Sequence, residues 1–111
     1  MPEFGTPFAG LALDRKLTNE ELIRAIRFMV AAEYEAVQLY AQLAESTDNK
    51  LVQEVLTDIA DEELVHAGEF LQLLYTLAPT EAAFYLEGAA EVREIKKKVE
   101  KNAVTKERKK R

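Results

Sequence analysis

The chain has 111 residues, is 48% hydrophobic and 32% charged, carries a formal net charge of −5, and contains no cysteine. That length bounds one small domain; without thiols a disulfide framework and a thiolate metal site are excluded, so a bound metal must rest on carboxylates and histidine. No apolar run approaches the ~20 residues of a membrane span, and residues 1–10 lack the charged start and long apolar segment of a secretory leader, so a cytoplasmic location without membrane contact is expected.

Residues 1–17 carry Pro2, Gly5, Pro7 and Gly10, which bar a continuous helix and define an N-terminal arm. Phe4, Phe8, Leu11 and Leu13 can pin that arm onto a helix. Thr18 followed by Glu21 is a capping-box pattern and predicts a first helix from just after Thr18 to about Glu45. Ser46-Thr47-Asp48-Asn49 is a short polar connection whose side chains can also cap the next helix. That second helix is predicted from about Asn49 to Leu77, ended by Pro79. Thr80 then caps a third helix from about Glu81 to about Lys98, weakened by Gly88 and fraying after Lys101. The organisation expected is therefore an arm over 1–17, a helical domain over 18–101 and a basic tail over 102–111. A four-residue connection forces the first two helices into an antiparallel hairpin.

Charge is unevenly spread. Residues 1–92 hold five Lys/Arg and seventeen Asp/Glu, a balance of −12, whereas residues 93–111 hold ten and three, a balance of +7. The acidic body can attract cations. The basic end reads as a solvated tail, and with no recognition motif beside it no nucleic-acid partner is expected.

Apolar residues recur at alternating steps of four and three in both long helices. In the first they are Leu22, Ile26, Met29, Ala36, Tyr40 and Leu43; in the second, Val52, Leu56, Ile59, Phe70, Leu73 and Leu77. Such seams pack helix on helix. Glu33 interrupts the first seam, and Glu63 and His66 interrupt the second. A carboxylate withdrawn from water is costly unless it is paired or binds a metal. No Lys or Arg follows Arg27 in the first helix or Lys50 in the second, so a metal ion is the available counter-charge. Glu33 lies fifteen residues before Asp48 and Glu63 fifteen after it. At ~1.5 Å per residue both stand ~22 Å from the turn and face each other. His66 is one turn beyond Glu63 on the same face.

Carboxylates and imidazoles with positions left open suit oxygen-activating iron. A di-iron carboxylate bundle takes one Glu from each of two helices and Glu-x-x-His from each of two others. This chain has one such Glu, one Glu-x-x-His and a single histidine. Two copies complete the set, which places a two-iron site at a homodimer interface. The same ligands would also accept zinc or manganese.

These residues carry a family resemblance. Glu33-Tyr34-Glu35-Ala36-Val37, Tyr40, Ser46-Thr47-Asp48, Asp61-Glu62-Glu63 and His66-Ala67 keep the order and spacing of the encapsulated ferritins, over about Leu22 to Leu77. The resemblance implies an all-α fold: an antiparallel two-helix hairpin plus a C-terminal helix, dimerising into a ferritin-like four-helix bundle. It implies a ring-shaped decamer built from dimers, inside an encapsulin nanocompartment. It also implies a ferroxidase that oxidises Fe(II) with oxygen while the shell stores the mineral. By position it makes Glu33, Glu63 and His66 the iron ligands, sets Tyr40 beside them, and puts Glu35 near the path by which iron enters. Bottom-up, Tyr40 is seven residues from Glu33 on the same face and can donate its hydroxyl toward the site; it can equally serve as a core aromatic. Three departures stand out. Ala32 replaces an acidic residue and Leu39 a tryptophan found in relatives, and the end Thr105-Lys106-Glu107-Arg108-Lys109-Lys110-Arg111 is unlike a shell-docking peptide. Two other functions compete: a rubrerythrin-like di-iron peroxidase, and a non-catalytic helical assembly module whose seam polars fix register.

Overall fold

Thr18 starts the first helix as its sequence dictates. Its hydroxyl accepts from the Glu21 amide at 3.2 Å, and the Glu21 carboxylate accepts from the Thr18 amide at 2.9 Å. The structure is a computed structural model that describes residues 14–110; the arm contacts expected of Phe4, Phe8, Leu11 and Leu13 fall outside the described residues. It contains α1 (Asn19–Glu45), α2 (Lys50–Leu77) and α3 (Pro79–Lys110), and no strand among the described residues. Two compact units result, one holding α1 and α2 and the other α3.

The turn between α1 and α2 is tied by its own polar side chains. Ser46 donates its hydroxyl to the Gln42 carbonyl at 2.6 Å, and Asn49 accepts from the Val52 amide at 3.2 Å as the cap of α2. Gln53 reaches back to the Thr47 carbonyl. These bonds satisfy terminal backbone groups that would otherwise face water, and they fix the hairpin's register.

The hairpin packs on small residues. Its buried side chains among the described residues are Ala25 and Val30 of α1 and Ala60, Ala67 and Leu74 of α2. The α2 line, seven residues apart, lies one position on from the predicted seam. Val52, Leu56, Ile59, Glu63, Phe70 and Leu77 of that seam are half-buried, whereas His66 and Leu73 are exposed. The physical reason is steric: alanine lets two backbones approach closely, so the hairpin closes on Ala60 and Ala67 and turns the larger apolar residues to its flank. Leu39, Leu43, Val55 and Leu73 are each about half exposed (51%, 54%, 48% and 49%).

The third helix departs from the sequence expectation at both ends. It begins at Pro79 rather than after Thr80, because proline's fixed φ and missing N–H suit the first helical position. It also runs to Lys110 instead of ending about Lys98 and fraying after Lys101. Gly88 does not break it. Ion pairs one turn apart, Lys97–Glu94 at 3.4 Å and Lys96–Glu100 at 3.8 Å, support its middle. Arg108, Lys109 and Lys110 in the last turn complement the negative end of its dipole.

Arg15 adds a second hold on the α1 start through two 2.7 Å bonds to both Glu21 oxygens. Those bonds and the Thr18 amide lower the Glu21 pKa from 4.5 to about 2. A depressed carboxylate stabilises the fold above its unfolded value and loses that contribution as pH falls through the folded one. Glu21→Gln should therefore be less stable than the parent to urea at neutral pH. The gap should close between pH 4.5 and about 2; a gap constant across that window would mean the carboxylate's charge contributes nothing.

Candidate metal centre

Three side chains converge halfway along the hairpin. Glu33 comes from α1, and Glu63 and His66 come from successive turns of α2. One ligand atom from each lies within 4.8 Å of the others. His66 Nδ1 stands 3.8 Å from Glu33 Oε2 and 3.6 Å from Glu63 Oε2. These separations exceed hydrogen-bond distances. They match the edges of a coordination shell, where ligands ~2.0–2.2 Å from a shared ion stand about 3 Å or more apart. The equal spacing from Asp48 thus becomes a cross-helix pair, as the antiparallel turn requires.

Burial distinguishes the three residues. The Glu33 and Glu63 side chains are 18% and 19% exposed and His66 is 48% exposed. Glu33 Oε2 is itself buried and has no hydrogen-bond partner. An oxygen removed from water without a donor carries its full desolvation cost. Neither helix offers a cation at this level, since Lys and Arg are absent from residues 28–49 and 51–92. A divalent ion would satisfy the orphan oxygen and balance both carboxylates, so the donor set fits a hard or borderline metal.

The other predicted residues sit outside this cluster. Tyr40 lies two turns along α1, half-buried, and lines a groove of about 400 Å³ with Leu39, Gln42, Leu43 and Ser46. Glu35 follows Glu33 by two residues, which at ~100° per residue turns it to roughly the opposite side of α1. Ala32 is half-buried and offers no ligand atom. Sequence reasoning did not anticipate that His66 stands at the rim. Its clue was Ala67, whose neighbour must turn outward once the alanine faces inward.

Comparison with known proteins agrees with the fold. The protein-family model Rubrerythrin matches residues 22–109. A "Ferritin-like-encapsulin shell fusion protein" of Pyrococcus furiosus is 38% identical over 82 residues, 74% of this chain and 24% of the relative. The chain thus spans about a quarter of that fusion. "Encapsulin nanocompartment cargo protein EncC" of Myxococcus xanthus is 39% identical over 89 residues, 80% of this chain and 68% of the relative. Among solved structures, the encapsulated ferritin domain from Pyrococcus furiosus superposes with a TM-score of 0.73 at 36% identity, covering 78% of this chain and 89% of that one.

The orphan oxygen yields a prediction for the metal-free protein. Glu33→Leu removes an unsatisfied buried polar group and should raise stability to urea by about 1–3 kcal/mol in chelator. The same variant should lose the stabilisation that added divalent metal gives the parent. A destabilised Glu33→Leu in chelator would show that the carboxylate is satisfied without metal.

Proposed function

The chain belongs to the rubrerythrin family and, with its relatives, to the encapsulated ferritin-like proteins, and from that premise we propose that it is a ferroxidase whose di-iron site forms between two copies. The observation that carries the proposal is the half-set of ligands. Glu33, Glu63 and His66 converge in one chain, while a di-iron carboxylate centre takes four Glu and two His. A two-fold related copy supplies the remainder, giving two iron ions per dimer.

The charges support the same reading. Four carboxylates balance two ferrous ions, with two neutral imidazoles completing the set. Each Fe(II) gives up one electron and becomes Fe(III); the two electrons of one pair, with two protons from water, reduce one dioxygen to hydrogen peroxide. His66, half exposed at the rim, leaves an approach for substrate iron and oxygen. Tyr40 can donate a hydrogen bond along the same face, and Glu35, turned to the opposite side of α1, can hold cations outside the cluster on the path by which iron enters.

The names of the relatives extend the proposal to assembly. One is called an encapsulin cargo protein and another is fused to a shell. We place this chain inside an encapsulin shell in the cytoplasm, as dimers assembled into a ring-shaped decamer, with the shell holding the mineral for iron storage. Among the described residues no helix is long and apolar enough to cross a membrane. The flank of exposed leucine and valine on the hairpin supports a second copy as its cover.

The family match also favours a second reading, a rubrerythrin-like peroxidase. The chain has no cysteine to hold the rubredoxin-type iron that usually feeds electrons to such enzymes. Anaerobic protein given Fe(II) and then air should oxidise it faster than buffer, with rapid turnover at about two irons per dimer. Glu63→Ala should abolish the advantage. A rate equal to buffer, or an unaffected Glu63→Ala, rejects the ferroxidase; a marked preference for hydrogen peroxide over oxygen selects the peroxidase.

A further inference from the structure

The metal chemistry makes no use of α3, yet its sequence is patterned. Tyr85, Gly88, Val92, Ile95, Val99, Asn102 and Lys106 succeed one another at alternating steps of three and four. Val92, Ile95 and Val99 are 65%, 59% and 61% exposed. Val92, Ile95 and Val99 follow one another at those two heptad positions, the spacing of a coiled-coil seam, while Phe84, Leu86 and Val104 (65%, 71% and 50% exposed) lie off that line. Charge divides the same helix. Residues 79–92 hold Glu81, Glu87 and Glu91 with no Lys or Arg, whereas residues 93–110 hold nine Lys/Arg and three Glu. Two such helices side by side in one direction bring like ends together. Reversed, they bring unlike ends together.

We propose that α3 pairs with α3 of a second copy, antiparallel and centred between Arg93 and Glu94. In this register Val92 packs on Ile95 of the second copy and Gly88 lies opposite Val99. A Cβ at Gly88 would meet nothing within 4 Å in its own chain, so the glycine relieves no internal crowding. Opposite Val99 it gives a neighbouring backbone room to approach. The flanking positions pair Glu91 with Lys98 of the second copy. Further out, Glu81, whose carboxylate also accepts from the Tyr85 hydroxyl, meets Lys106. Two-fold symmetry makes each contact twice.

The register is selected as well as permitted. Sliding one helix by a heptad in one direction sets Lys98 against Lys98 of the second copy. Sliding it the other way sets Glu91 against Glu91. Either alternative replaces an attractive flanking pair by a repulsive one. Asn102 falls opposite Tyr85, where amide and hydroxyl can hydrogen-bond and keep a polar residue in the seam satisfied.

The chain's lack of cysteine makes the test direct and independent of iron oxidation. Gly88→Cys and Val99→Cys full-length chains, carrying different tags, would be co-expressed and mildly oxidised. The expected product is a disulfide joining the two variants, with none in either variant alone. Glu91→Lys introduced into both should abolish it, and Glu91→Lys with Lys98→Glu should restore it. Disulfides within each variant alone would show parallel pairing and overturn the proposal. No disulfide in any mixture would assign the stripe to another partner, such as a shell wall, and overturn it equally.

Discussion

One buried carboxylate oxygen organises this protein. Glu33 Oε2 is shut from water between two helices without a donor, and no lysine or arginine lies within reach along either helix. Its charge can be met by a cation brought from solution. A cation needs further ligands, and the antiparallel hairpin delivers Glu63 at the same height and His66 one turn away. The turn sequence, the caps and the equal distances from Asp48 all serve to bring these three atoms to one place.

The packing obeys the same requirement. A hairpin closed on Ala25, Ala60 and Ala67 brings its backbones near enough for short acidic side chains to meet. Small residues bury little apolar area, however, and hydrophobic stabilisation scales with area. The leucines and valines that would have filled a larger interior stand on the flank. Site geometry and exposed apolar surface are thus two sides of one choice: what the hairpin gives up in private core it carries on its flank.

Much of this was legible in the sequence. Thr18 and Glu21, the polar turn and the three residues that break the seams are local signals with direct mechanical meaning: the cap and the turn form as read, and Glu33, Glu63 and His66 converge. Two features were not. The phase of α2 depends on which residues its neighbour can approach, so Ala60 and Ala67 shifted the buried line by one position and left His66 at the rim. The length of α3 depends on a balance between helix-supporting ion pairs and like-charge repulsion among lysines. Fraying is expected after Lys101; Lys97–Glu94 and Lys96–Glu100 support the helix up to that point, and beyond it the basic last turn suits the helix C-terminus.

A ligand set divided between two copies, as proposed, would have a consequence for heredity. Under the proposed pairing, a chain with a damaged ligand spoils the site of whichever normal chain it joins. In a cell making both forms equally, random pairing leaves about one dimer in four with every ligand present. A lesion at Glu33, Glu63 or His66 would then behave as dominant. A lesion that prevents folding would behave as recessive, because the failed chain never reaches a partner. A metal site held half by each copy would thus make the kind of mutation, and not merely its severity, decide the phenotype.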